Sequence, residues 1–122
     1  PILANRVYAG ADMFLMPSKS EPCGLSQLIA MRYGTIPVVN ATGGLKDTVE
    51  PFNMESGQGT GFNFQSFNTD DMLDALRRTL SVYGGDKQMW AKIVENAFKY
   101  DSSWNNQTKK YLELYQGLIN KR

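Results

Sequence analysis

The sequence has no histidine and a single cysteine, Cys23, in 122 residues. Without histidine there is no Ser-His-Asp triad, no Cys-His pair and no imidazole metal site. One cysteine excludes an internal disulfide and a thiolate zinc cluster, and it suits a reducing cytoplasm. Charge of one sign is also missing, since 13 Lys and Arg stand against 12 Asp and Glu for a formal net charge of +1. That balance leaves no electrostatic footprint for nucleic acid or a membrane surface. No apolar run approaches a membrane span, and the first residues carry no secretory signal pattern. Chemistry on this chain has to come from carboxylates, backbone amides, hydroxyls, Lys and Arg.

What is present reads as one α/β domain over residues 1–122. The hydrophobic share of 42% with 20% charge is that of a soluble globular protein long enough for one core. PILANRVYAGAD opens without Met and passes straight into a helix end, so the chain reads as a fragment of a longer protein. ILANRVYAG predicts a short helix closed by a left-handed Gly10. DMFLM, residues 12–16, is a short apolar run stopped by Pro17 and predicts a buried strand. GLSQLIAMRY, residues 24–33, predicts a helix with Gly34 just past its end. IPVVN, residues 36–40, predicts a second strand. Strand, loop, helix, strand over this length is a βαβ unit, and both apolar strands suit a parallel sheet covered on both faces.

Beyond the second strand, Gly43-Gly44 predicts a tight turn before a helical turn in LKDTVE. Residues 53–61 are polar and Gly-rich and predict a mobile surface loop. FNFQ, residues 62–65, predicts a third strand. Asn68 or Thr69 caps a helix reaching Tyr83, with Met72, Leu73, Leu76, Leu80 and Tyr83 on one stripe. Gly84-Gly85 ends it, and Asp86 caps the next helix, with Trp90, Ile93, Val94 and Ala97 inward. A terminal helix within 102–122 follows, with Tyr111, Leu114, Tyr115, Leu118 and Ile119 at helical spacing, its aromatic residues assigned to the core. No internal repeat is visible.

In an open α/β sheet, ligands bind beyond the carboxyl ends of the strands. Here the loops 17–23 and 41–45 leave those ends, and adjacent parallel strands would set them side by side. The first loop, PSKSEPC, feeds a helix start whose free amides and dipole favour an anion. Gly24, Gly43 and Gly44 let backbone approach a phosphate closely. Glu21 could then hydrogen-bond hydroxyls or stabilise positive charge. Pattern alone leaves each piece open: Glu21 as a solvated carboxylate, Cys23 as a packing residue, the glycine pair as a simple turn. GQGTG has the wrong spacing for a dinucleotide fingerprint, and no helix follows it.

The stretch YAGADMFLMPSKSEPCGLSQLIAMRYGTIPVVNATGGLKDTV, from Tyr8 to Val49, resembles the C-terminal signature of bacterial glycogen synthases and plant starch synthases. WAKIVENAFKYDSSWNNQTKKYLELYQ is similar to the ending of the same family. The resemblance implies a partial Rossmann-like fold, the later part of the donor-binding (C-terminal) lobe of a two-lobed GT-B glucosyltransferase. It implies transfer of glucose from ADP-glucose to the non-reducing end of an α-1,4-glucan with retention, and no metal or cofactor. On it, Glu21 matches the active-site glutamate and Cys23 an active-site cysteine. Gly24, Leu25 and Ser26 match the helix start that holds the distal phosphate, and Thr42, Gly43 and Gly44 a loop lining the donor site. Ile29 stands where related sucrose-using families carry a second glutamate. UDP-glucose is the alternative donor, and a free-standing nucleotide-sugar or glucan-binding module without catalysis is the alternative function. On this resemblance the acceptor lobe and the basic phosphate-binding segment are expected to lie outside these 122 residues. The isolated chain is therefore expected to be inactive, and its cut sheet to offer an edge for self-association.

Overall fold

The computed structural model describes residues 1–121. Its elements follow in the order α1 (Ile2–Gly10), β1 (Met13–Met16), α2 (Ser26–Arg32), β2 (Ile36–Asn40), α3 (Gly43–Thr48), β3 (Phe62–Phe64), α4 (Thr69–Gly85), α5 (Lys87–Lys99) and α6 (Trp104–Ile119). The three strands form a parallel sheet in the order β1-β2-β3. Met13 pairs with Ile36 and Val38 with Phe62, so the strands leave the sheet on one common edge.

β2 is central, and each of its residues is buried. Successive side chains of a strand point to opposite faces, and β2 accordingly feeds two apolar clusters. Ile36 and Val38 join Met31, Phe62, Phe64, Ala75, Val82, Ile93 and Ala97 in the larger one, which α2, α4 and α5 complete. Val39 packs on the other face with Leu45 and Val49. The β1 strand differs from expectation. Its residues are only half-buried and Leu15 is exposed, because β1 has a single neighbouring strand here.

Local chemistry fixes several boundaries. The end of α2 is a Schellman turn, with Gly34 N donating to Met31 O and Thr35 N to Ala30 O. Gly34 sits at φ +79 there, and a Cβ would lie 2.8 Å from the Phe98 ring. Gly10 does not play that part: it is the last residue of α1, and Ala11 leaves the helix in an extended conformation. Thr35, fully buried, ties the α1–β1 segment down by donating to Ala11 O at 2.8 Å and approaching Tyr8 O. Asn68 and Asp86 cap α4 and α5 through their side chains, accepting from Asp71 N and Met89 N.

Burial corrects three further expectations. In α4 the fully buried residues are Ala75, Thr79 and Val82; of the expected stripe, Met72 and Leu76 pack against the core half-buried, while Leu73, Leu80 and Tyr83 are exposed. Small residues lie nearest the sheet, which lets the helix approach it closely. In α6 no described residue is buried, and Tyr111, Leu114, Tyr115, Leu118 and Ile119 are all exposed, so its apolar stripe is not part of this core. Residues 53–61 are not a free loop. Gly57 and Gly59–Gly61 are buried, Asn53 N and Gly57 N close internal turns, and Asn96 Nδ2 of α5 donates to Gly57 O and Gly59 O.

Candidate functional site

The loops after β1 and β2 emerge side by side from the carboxyl edge of the sheet, as the parallel pairing requires. They touch through backbone. Gly44 N donates to Glu21 O at 3.1 Å. A Cβ on Gly44 would lie 2.1 Å from Cys23 O, and one on Gly43 would lie 2.0 Å from Glu21 O. Gly43 also has φ +46, a conformation side chains resist. The glycine pair therefore serves the contact between the loops. It also opens α3 as that helix's first turn, where a separate tight turn was expected.

The candidate residues lie on these two loops and on the first residues of the helices that follow them, Ser26 of α2 and Gly43 and Gly44 of α3. Glu21 is half-buried beside α3, Cys23 is exposed, and Gly24 turns the chain at φ +71. The helix starts at Ser26, with Leu25 as its N-cap and no side chain capping it. The expected start at Gly24 is thus two residues early, because a left-handed Gly24 lies outside helical geometry. Thr42 is the N-cap of α3, with its carbonyl accepting from Leu45 N at 3.1 Å. Gly44's amide is already satisfied by Glu21 O, whereas α2 begins at Ser26 with no side chain capping its first amides.

Polar residues outside the expected set hold the loops in place. Asn40, buried at the end of β2, donates from Nδ2 to Ser18 O at 2.8 Å and anchors the first loop. Gln27 is fully buried, and its Nε2 faces Cys23 O, Gly24 O and Thr48 Oγ1 at 3.2, 2.9 and 3.0 Å. The large apolar residues of this stretch are Leu25, Leu28, Ile29 and Met31, yet Gln27, Ala30 and Met31 are the buried ones. The one available signal was the spacing of Gln27 from Ala30 and Met31, which places it on their face of the helix.

The family model for "Glycosyl transferases group 1" matches residues 4–100. This chain belongs to that family. Within the group 1 glycosyl transferases it is 56% identical over 117 residues to the glycogen synthase of Fusobacterium nucleatum, covering 96% of this chain and 25% of that protein. It is 52% identical to the glycogen synthase of Desulforamulus reducens, over 96% of this chain and 24% of that one. The chain thus spans about a quarter of the length of the curated relatives it matches. Among solved structures, the catalytic domain of starch synthase IV from Arabidopsis thaliana, bound to ADP and acarbose, superposes with a TM-score of 0.86. It is 37% identical, covering 98% of this chain and 25% of that one. Sucrose-phosphate synthase from Thermosynechococcus elongatus superposes with a TM-score of 0.64 at 25% identity, over 95% and 27% of the two chains. The glycosyl transferase fold expected from EPCGL and TGGL is borne out, and the starch synthase is the nearer of these two structures in both measures.

Proposed function

We propose that this chain is part of the donor-binding lobe of a cytoplasmic glycogen synthase. That enzyme moves glucose from ADP-glucose to the non-reducing end of an α-1,4-glucan with retention. The carrying observation is the backbone contact of the EPCGL and TGGL loops at the carboxyl edge of the sheet. It occurs in a chain about half identical to glycogen synthases over nearly its whole length. The starch synthase neighbour, bound to ADP, supports an adenine nucleotide as the donor's leaving group.

In this reading the Glu21 carboxylate contacts the donor glucose and supports the positive charge that grows at the anomeric carbon as the C–O bond to the diphosphate breaks. Gly24, Leu25 and Ser26 present backbone amides to the distal phosphate. Cys23, Thr42 and Gly43 line the pocket, and Gly44 holds the loops in register. Retaining transfer needs donor and acceptor enclosed together. Turnover therefore belongs to the longer enzyme, and the isolated chain binds donor weakly and pairs through the open edge of β1. A binding module without catalysis is not favoured, since the relatives named here are synthases.

The test is incorporation of labelled glucose into glycogen by the enzyme carrying this chain, with ADP-glucose and UDP-glucose in parallel. Efficient transfer from ADP-glucose, with retention read by proton NMR of the new linkage, is expected. Preference for UDP-glucose would replace the donor assignment, and transfer from neither would overturn the function.

A further inference from the structure

Gln27 lies in the first turn of α2 and has no solvent exposure. Gly24 O and Cys23 O can only accept hydrogen bonds, so the NH2 end of the amide must face them. Nε2 also donates to Thr48 Oγ1 at 3.0 Å. Thr48 Oγ1 in turn donates to Gly44 O at 2.6 Å. A continuous line of hydrogen bonds therefore runs from the EPCGL loop, through one buried amide and one hydroxyl, to the TGGL helix.

This arrangement has a cost that packing does not explain. Gln27 Oε1 is buried and has no hydrogen-bond partner among the described residues. An unpaired buried carbonyl is destabilising, and an apolar side chain of the same length would avoid it. What such a side chain could not supply is the donor group that reaches both loops at once. The left-handed Gly24 is packed against the same amide: a Cβ there would lie 2.6 Å from Oε1.

We infer that Gln27 is a positioning residue that fixes the loop bearing Glu21 and Cys23 against the TGGL loop, acting through Thr48. Its catalytic consequence rests on the glucosyl-transfer reading above. Gln27 itself touches no reacting atom. It sets where Glu21 and the first amides of α2 stand, and a misplacement of about 1 Å at a reacting group costs on the order of 10²-fold in rate.

The experiment uses Gln27→Met, which keeps the length and removes the donor, with Thr48→Val and the double variant, all in the full enzyme. Gln27→Met is expected to lower kcat by roughly 10²-fold with a smaller change in donor KM. The double variant should be no slower than Gln27→Met alone, because both remove one line of bonds. Hydrogen exchange followed by mass spectrometry should speed up in both loop segments, 20–28 and 41–48. A purely structural residue would lower the melting temperature and leave kcat per folded molecule unchanged. Wild-type kcat in folded Gln27→Met enzyme overturns the proposal, as does faster exchange confined to one loop. If Gln27→Met does not fold, Thr48→Val carries the test, with a loss of about tenfold expected and wild-type kcat overturning. An enzyme whose wild type transfers from no nucleotide donor would sink the functional reading, while the exchange data would still decide the coupling.

Discussion

Gly44→Ala is the sharpest test of how the two loops meet. The added methyl would sit 2.1 Å from Cys23 O, 2.6 Å from Cys23 Cα and 2.7 Å from Cys23 C. Real Cβ contacts essentially never fall under 3.0 Å, so the backbones must part by about 0.9 Å or more. No flexible side chain can yield in their place, because every atom in the way is backbone. Overpacking of this kind costs roughly 1–3 kcal/mol. Loss of the Gly44 N to Glu21 O bond adds about 1 kcal/mol. Removing a glycine from the unfolded chain returns about 0.4–1 kcal/mol. The net expectation is a destabilisation of about 1–3 kcal/mol, read as a lower urea midpoint at unchanged slope. The same shift moves the loop bearing Glu21 by nearly the distance at which about 10²-fold in rate is lost. Gly84→Ala is the control: it lies in α4, and a Cβ there has nothing within 4 Å. That variant should be neutral or gain up to about 1 kcal/mol from helix propensity. A Gly44→Ala protein with wild-type midpoint and wild-type transfer would refute the loop contact.

Glu21→Ala in the full enzyme should cut glucosyl transfer by about 10²–10⁴-fold while leaving the melting temperature within a degree or two, since the half-exposed carboxylate is not part of the core; near-normal turnover removes Glu21 from the mechanism. Asn68→Ala removes the oxygen that accepts from Asp71 N at 2.8 Å and should cost about 1 kcal/mol in denaturant melts. At high pH, burial and then the Asp47 charge hold the Tyr100 phenol above its ordinary value of 10.0. The unfolded chain gives up that proton first, so the stability it contributes is complete below pH 10 and declines as pH rises further toward the folded value. Tyr100→Phe should flatten that alkaline decline in pH-dependent unfolding, and an unchanged slope would reject the assignment.

The sheet was legible because its signal is strong and local. DMFLM and IPVVN are short, apolar and bounded by Pro17 and the Gly43-Gly44 pair, and FNFQ repeats the pattern. Caps were legible for the same reason, as Asn68 and Asp86 can satisfy free helix amides without help from the rest of the fold. The inward face of α5 was legible too, with Ile93 and Ala97 buried and Trp90 and Val94 packed beside them, whereas the face of α4 was read only in part. Bulky residues at helical spacing predicted the inward stripe of α4; Met72 and Leu76 do reach the core, but the fully buried positions are Ala75, Thr79 and Val82. Periodicity records where apolar bulk lies, and close packing is decided by where bulk is missing. The same blindness hid Gln27, since a buried amide looks like a solvent-facing residue until its partners are known. Residues 53–61 misled in the opposite direction: Gly59 and Gly61 serve close burial against Pro51, Phe52 and Pro37.

The glycines of TGGL carry the deeper lesson for the site. In sequence, a glycine pair beyond a strand suggests room for a ligand's phosphate. In the structure the side of the pair where a Cβ would stand meets the backbone of the Glu21 loop, Gly44's amide donates to Glu21 O, and Gly43 stays exposed. In the proposed reading an anion at this edge draws donors from the start of α2, where no side chain caps the helix, and Gly44's amide is not among them. In the proposed reading the TGGL loop, besides lining the pocket, is the surface against which that donor-bearing turn is set. Phosphate affinity and loop register are then separable in experiment. A change at Gly44 should move both by displacing the turn, while a change at Glu21 should reduce transfer and leave phosphate affinity nearly intact. Equal losses of affinity from the two changes would show that Glu21 takes part in holding the anion site and that this division of labour is wrong.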